Sequence, residues 1–233
     1  LPGIRLNGIA VHIGSQITEL GPMEAAYLKV IEMTDALRAA GHAITRADFG
    51  GGLGVPYVMN EAPPPSPAEY GAMVSRISAG KNLKLAFEPG RLIVANAGIL
   101  VTRVVYVKHG ASRDFLILDA GMNDLIRPAM YDAHHDLIPV VASDRAERAY
   151  DIVGPVCETG DTFARGRTVP AFEAGELAAI LTAGAYGAAQ ASEYNARPLV
   201  AEAMVNGSDW AIVRPRPSYE EMLGRDRLPD WLG

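Results

Sequence analysis

Short apolar runs alternate with segments of helical periodicity between residues 6 and 87. The runs predict strands at residues 6–13, 44–49 and 83–87, the first of them apolar enough for a buried parallel strand. Between the strands, apolar positions mark the inner face of two helices, at Met23, Tyr27, Val30, Ile31, Thr34 and Leu37 and then at Tyr70, Met73, Val74 and Ile77.

Local signals fix the ends of these helices. Pro22 suits a first turn, and Gly41 is typical of a helix end. Ser66, Pro67 and Glu69 form a capping box with proline at the first helical position. The resulting β-α-β-α-β order implies parallel strands joined by right-handed crossovers, either in an open doubly wound sheet or in a piece of a (β/α)8 barrel.

The pattern becomes β-rich after residue 97. Strands are predicted at residues 99–107, 115–118, 150–156, 168–172 and 199–213, with turns at 206–207 and near Gly160. A helix is predicted around residues 185–193, and a short one at 219–223. We therefore expect an α/β domain over residues 1–97, followed by a β-rich domain over residues 98–233.

Polar and glycine-rich clusters follow each early strand: His12 and Ser15, then residues 50–54, then Glu88 to Arg91. In parallel α/β folds, that edge of the sheet is where ligands bind. Glycines allow backbone N–H groups to approach an anion, which together with Arg91 indicates a phosphate site. A flexible loop is the alternative interpretation of residues 50–54, which match neither the Walker nor the dinucleotide-binding spacing.

Glu88 and His12 each allow two interpretations. Glu88 either forms an ordinary salt bridge with Arg91 or faces the ring nitrogen of a ligand or a bound cation. His12 is either a hydrogen-bonded structural histidine or an imidazole that stacks on a flat cofactor.

Further candidates lie in the second half. Arg127 and Tyr131 are spaced to converge on one carboxylate, unless they belong to a solvated turn. Cys157 and Glu158 follow a predicted strand and suggest an acid or a substrate clamp, or a plain loop. This spacing is poor for a metal, and none is expected. Tyr186 lies between small residues and could contact a ligand or pack in the core.

Composition narrows the function classes. The 233 residues are 49% hydrophobic and carry a formal net charge of −6 without a basic block, which argues against nucleic acid. No apolar stretch reaches the roughly 20 residues of a membrane span. The single cysteine fits a reducing compartment, and we expect a cytoplasmic protein.

Six motifs together resemble one family. In chain order they are HIGSQ at 12–16, DFGGGLG at 48–54, EPGR at 88–91, RPAMY at 127–131, CETGD at 157–161 and GAY at 184–186. The same order is found in the diaminopimelate decarboxylases, which are fold-type III pyridoxal-phosphate enzymes. The resemblance covers essentially the whole chain, and it implies the last βα units of a (β/α)8 barrel followed by a β domain.

The resemblance also implies roles for residues. Pyridoxal 5'-phosphate would be bound by His12, Ser15, Gly52, Glu88, Gly90, Arg91 and Tyr186. Substrate would be bound by Arg91, Arg127, Tyr131, Glu158 and Tyr186. Cys157 would be the catalytic proton donor, and with Glu158 it would reach into the partner's site of a homodimer.

The implied reaction is decarboxylation of diaminopimelate to lysine, the final step of lysine biosynthesis. A substrate with an amino-acid group at its far end needs both a cationic and an anionic contact there, which Arg127 and Glu158 supply. The alternatives are a sister decarboxylase acting on ornithine or arginine, and a non-catalytic fragment that binds a phosphate ligand or an intact subunit.

One departure from the family concerns the lysine that binds the cofactor covalently. The lysines here are Lys29, Lys81, Lys84 and Lys108. None stands in the Tyr-Ala-x-Lys-Ala/Ser-Asn type of motif that carries the cofactor lysine in the family. We therefore expect the N-terminal segment that carries this lysine to be missing and the chain alone to be incomplete for catalysis.

Overall fold

The computed structural model describes residues 3–232. Contacts divide the chain after Gly98 into two compact units, which are described separately. No helix in residues 3–232 is both long enough and apolar enough to cross a membrane.

The first unit is a three-stranded parallel sheet with two long helices. In chain order its elements are β1 (Gly8–Ala10), α1 (Leu20–Ala39), β2 (Arg46–Asp48), α2 (Pro67–Ser78), β3 (Lys84–Ala86), α3 (Gly90–Val94) and a 3-10 turn at Ala95–Ala97. The strands lie in the order β1-β2-β3, and both pairs are parallel. The predicted β-α-β-α-β order is confirmed, although each strand is shorter than predicted.

The ends of both long helices follow from their sequence. At the end of α1 the N–H groups of Gly41 and His42 donate to the carbonyls of Arg38 and Leu37, and Gly41 takes a φ of +89°. This double contact is the Schellman motif, which favours glycine at that position. At the start of α2, Ser66 and Glu69 form the predicted capping box, with Pro67 at the first helical position.

The core of the first unit lies between the two helices and one face of the sheet. Tyr27 of α1 stacks on Phe49 with ring centroids 4.2 Å apart, and the Tyr27 hydroxyl lies 3.1 Å from that of Tyr70. The other face, where Arg46 pairs in register with Lys84, is exposed. The expectation of a buried first strand is therefore wrong, since no residue of β1 is fully buried.

The second unit is built on a six-stranded sheet. Its elements are β4 (Leu100–His109), β5 (Asp114–Leu118), α4 (Arg127–Tyr131), β6 (Leu137–Pro139), β7 (Glu147–Val153), β8 (Thr162–Pro170), β9 (Leu177–Ile180), β10 (Glu202–Asn206), β11 (Asp209–Arg214) and α5 (Tyr219–Leu223). The sheet order is β6-β9-β4-β5-β7-β8, with β5 and β7 as its parallel pair. Strands β10 and β11 form a separate hairpin, turning at Gly207 as predicted.

The core of this unit lies against the sheet. Its fully buried side chains come from neighbouring strands and include Val104, Leu116, Leu118, Tyr150 and Ile152. The predicted β-rich character is confirmed, as is the short C-terminal helix, which begins with a second capping box at Ser218 and Glu221.

The helix predicted around residues 185–193 is wrong. Two 3-10 turns, Ala188–Gln190 and Tyr194–Ala196, stand in this region, joined by extended backbone. Tyr186 has a φ of +59°, which is incompatible with a right-handed helix. Apolar and small residues give this segment a helical pattern, but its observed backbone conformation does not follow that preference.

Candidate functional site

Polar groups after β1, β2 and β3 lie side by side at one edge of the first sheet. The Glu88 N–H donates to the carbonyl of Gly50 at 2.8 Å, and the Gly51 N–H points at His12 Nδ1 over 3.4 Å. Because the three strands are parallel neighbours, their carboxyl ends must share this edge. We call His12, Ser15, residues 50–54, Glu88 and Arg91 the strand-end cluster.

The glycine segment at residues 50–54 is packed against both neighbouring strand ends. A Cβ at Gly51 would lie 2.1 Å from the Glu88 carbonyl oxygen, and one at Gly52 would lie 2.3 Å from that of Gly14. Gly52 also has a φ of +101°. The interpretation as a flexible loop is therefore wrong: these glycines allow backbones to approach more closely than any side chain permits.

Arg91 connects the ends of the first and third strands. It donates to Ser15 Oγ at 2.9 Å and to the Tyr57 hydroxyl, and its guanidinium carbon lies 5.7 Å from the centre of the Tyr57 ring. Hydroxyl oxygens orient the guanidinium without cancelling its charge. The structure thus brings Ser15 and Arg91 together and adds Tyr57, which the sequence motifs did not single out.

Glu88 and His12 are both exposed at this edge. No described residue forms an ion pair with the Glu88 carboxylate, so the interpretation as an ordinary salt bridge with Arg91 is wrong. His12 Nδ1 faces a backbone donor and acts as an acceptor, which places the proton of a neutral ring on Nε2.

The second unit carries Arg127 and Tyr131 on the single turn of α4. Arg127 is only 7% exposed and contacts His135, whereas Tyr131 is 62% exposed. The interpretation of this segment as a solvated turn is wrong for Arg127, because its side chain is buried.

Cys157 and Glu158 lie at the tip of a tight turn formed by residues 154–161. The turn is closed by the Gly154 N–H, which donates to the Asp161 carbonyl at 3.1 Å, and by the Gly160 N–H, which donates to Glu158 Oε1 at 3.1 Å. Both Cys157 and Glu158 are exposed. Their backbone is therefore fixed while their side chains face outward.

Asp161 braces this turn against the loop that precedes α4. Its two carboxylate oxygens accept from the N–H groups of Val156 and Met122, each at 2.6 Å. Burial raises the pKa of the Asp161 carboxyl, and the backbone donors oppose that shift. Gly154 is required beside it, because a Cβ there would lie 2.3 Å from the carboxylate. The CETGD motif contained Asp161, but the sequence could not show its contact with Met122, which lies 39 residues earlier.

Tyr186 is 40% exposed and has a left-handed backbone. The next residue, Gly187, lies so close to the Ala183 carbonyl that a Cβ would be 2.3 Å from its oxygen. This close turn sets the direction in which the Tyr186 side chain leaves the backbone, and the tyrosine is not simply packed in the core.

Comparison with known proteins gives a consistent result. Residues 29–184 match a family model described as pyridoxal-dependent decarboxylase, C-terminal sheet domain. A diaminopimelate decarboxylase of Zymomonas mobilis is 52% identical over 99% of the chain and 55% of its own length. The chain thus spans about half the length of the curated relatives it matches.

Solved structures agree with this comparison. A crystal structure from Aquifex aeolicus has a TM-score of 0.92 and 41% identity, covering 95% of the chain and 55% of its own. Diaminopimelate decarboxylase from Helicobacter pylori, complexed with L-lysine, has a TM-score of 0.87 and 37% identity, over 95% of the chain and 54% of its own. The predicted fold class is confirmed.

The packing at Gly51 predicts a sharp difference between two glycine substitutions. Gly51→Ala forces a methyl group onto the Glu88 carbonyl and should lower the free energy of unfolding by about 3 kcal/mol. Gly71→Ala is the control, because Gly71 lies inside α2 with open space around it and should gain about 0.5–1 kcal/mol. Urea denaturation measures both, and equal stabilities would contradict the close approach.

The Asp161 brace predicts that an amide cannot replace the carboxylate. In Asp161→Asn one of the two backbone donors faces another N–H group, which should cost about 1–3 kcal/mol in the free energy of unfolding. Asp144→Asn, at an exposed position, is the matched control and should be neutral. Denaturant titration of the two variants measures the difference, and a neutral Asp161→Asn would exclude the brace.

Proposed function

The chain belongs to the family of pyridoxal-dependent decarboxylases, and from this premise we propose that it forms the C-terminal part of an enzyme converting meso-diaminopimelate to L-lysine, the final step of lysine biosynthesis. The first unit would be the last part of the (β/α)8 barrel, with a domain boundary near residue 97, and the second unit would be the sheet domain. The names of the curated relatives support this substrate over ornithine or arginine.

The observation that carries the proposal is the strand-end cluster. Its glycine segment, the Ser15 hydroxyl and the Arg91 guanidinium meet at one edge, which suits a phosphate dianion. The exposed Glu88 carboxylate suits a protonated pyridine nitrogen, and the exposed His12 ring suits stacking on the pyridine face. The residues present therefore fit pyridoxal 5'-phosphate, with Gly52, Gly90 and Tyr186 as further proposed contacts.

When bound, the cofactor supplies an electron sink for the carbanion left by loss of carbon dioxide. The proton transfers and the binding of substrate would depend on residues of this chain. Glu88 would hold the proton on the ring nitrogen, because an adjacent anion favours the charged form. The Cys157 thiol would deliver a proton to the substrate carbon, and Glu158 would bind the far ammonium.

Arg127 and Tyr131 would bind the far carboxylate. Arg91 and Tyr186 would also contact the substrate. Cys157 and Glu158 would act in the site of a partner subunit in a homodimer. The exposed side chains of this pair on a closed turn support that arrangement. The proposed location is the cytoplasm, which the proposed biosynthetic reaction and the single free cysteine support.

The far-carboxylate contact predicts the effect of Arg127→Ala. The test uses a fusion in which the N-terminal half of the Zymomonas mobilis relative precedes residues 1–233. Removing a buried cation from its partner should lower kcat/KM for diaminopimelate on the order of 100-fold, because the carboxylate loses its charged contact. Decarboxylation of ornithine or lysine to a diamine should change much less.

The control for this substitution is Arg227→Ala, an exposed arginine outside the proposed site, which should leave kcat/KM unchanged. Steady-state assays of carbon dioxide release measure all three proteins. Equal loss for diaminopimelate and for the diamine-forming substrates would contradict the proposed substrate and favour a sister decarboxylase.

The lysines of the chain predict its behaviour toward the cofactor alone. Lys81 Nζ is paired with Asp35 at 2.8 Å, Lys84 begins β3 at the end away from Glu88, and Lys108 lies over the Phe115 ring at 5.8 Å. Incubation with pyridoxal phosphate and reduction with borohydride should therefore give no stoichiometric lysine adduct by mass spectrometry. A single modified lysine, including Lys29, would mean that this chain forms a complete site by itself.

A further inference from the structure

Arg127 is held by a histidine that the motifs did not single out. Arg127 Nη1 lies 2.7 Å from His135 Nε2, and His135 Nδ1 lies 2.8 Å from the carbonyl oxygen of Leu181. His135 is only 4% exposed and Arg127 only 7%. The contact between Arg127 and His135 is therefore shielded from water. In such surroundings hydrogen bonds are strong and a mismatched pair is costly.

The two hydrogen-bond partners of His135 determine which of its ring nitrogens carries the proton. A carbonyl oxygen only accepts, so Nδ1 must carry the proton and donate to Leu181. A guanidinium only donates, so Nε2 must present its lone pair to Arg127. A second proton on Nε2 would set donor against donor and cation against cation. His135 is thus the neutral ring with its proton on Nδ1.

The Leu181 carbonyl is itself fixed by the sheet. Leu181 directly follows β9, and its N–H donates to the Asp136 carbonyl at 2.8 Å. The residue before it, Ile180, pairs with Leu137 of β6. The imidazole therefore connects the guanidinium to the hydrogen-bonded frame of β6 and β9, and it has little freedom to tilt.

We infer that His135 is a positioning residue that gives the site its selectivity for a ligand carboxylate, by orienting Arg127 through an uncharged acceptor. This inference rests on the proposed function, in which Arg127 binds the far carboxylate. A carboxylate side chain in the place of His135 would pair with the guanidinium and compete with the ligand. A neutral imidazole fixes the direction of the guanidinium and leaves its positive charge intact.

The chemistry of the reaction supplies matched ligands for the test. Loss of carbon dioxide from the reacting carbon leaves the far carboxylate of diaminopimelate, which becomes the α-carboxylate of lysine. L-lysine therefore retains the group that Arg127 would bind. Cadaverine, 1,5-diaminopentane, has the same carbon chain and both amines but no carboxylate, so its binding is independent of Arg127.

The experiment compares inhibition by these two ligands in the fusion that carries residues 1–233. His135→Asn keeps a donor near Nδ1 but removes the acceptor at Nε2. It should raise KM for diaminopimelate and the inhibition constant of L-lysine on the order of 10-fold, with kcat and the cadaverine constant changed less than about 2-fold. His135→Gln, whose side-chain oxygen can reach Arg127, should restore most of the loss.

His42→Phe is the control, because His42 is exposed and outside the site, and it should change neither constant. Equal weakening of L-lysine and cadaverine by His135→Asn would show a general structural effect and overturn the inference. So would unchanged L-lysine inhibition in a variant that still binds the cofactor. Failure of the unsubstituted fusion to decarboxylate diaminopimelate would instead reject the proposed function, and the role of His135 would fall with it.

Discussion

The candidate site depends on the parallel register of three strands. Gly8, Arg46 and Lys84 pair across β1, β2 and β3, so the chain leaves all three strands at the same edge. At that edge the backbone of Gly51 packs against Glu88 and that of Gly52 against Gly14, at distances that leave no room for a Cβ. Parallel pairing brings His12, Ser15 and Arg91 near one another from distant parts of the chain, and the glycines fix their spacing.

The arginines of this protein differ in the partners to which they donate. Arg76, Arg113 and Arg145 donate to carboxylates of Glu24, Asp151 and Glu176. Arg91 donates to the hydroxyl groups of Ser15 and Tyr57, and Arg127 contacts the imidazole of His135. A guanidinium oriented by neutral acceptors keeps its charge for an incoming anion, which is the property that both proposed anion-binding positions need.

Sequence patterns predicted elements that depend on local chemistry. The capping box at Ser66, the helix end at Gly41 and the hairpin turn at Gly207 each follow from residues close in sequence. The predicted helix over residues 185–193 failed because Tyr186 has a positive φ and the segment forms only a short 3-10 turn at Ala188–Gln190. His135 and Tyr57 were missed because no motif pairs them with Arg127 and Arg91, and the contacts appear only in the folded chain. The motifs predicted the candidate site residues, whereas the side chains that contact Arg91 and Arg127 required the fold.

Cys157 and Glu158 pose a different physical problem, because they are rigidly presented yet exposed. An exposed carboxylate binds an ammonium group weakly, since water screens the charges and competes for the hydrogen bonds. A thiol that must protonate one carbon of a reactive carbanion also has to act where water is excluded. The Asp161 brace holds the turn in place, but it does not cover the two side chains. Their proposed roles therefore require a second surface to enclose them, which is the physical reason for placing them in the site of a partner subunit.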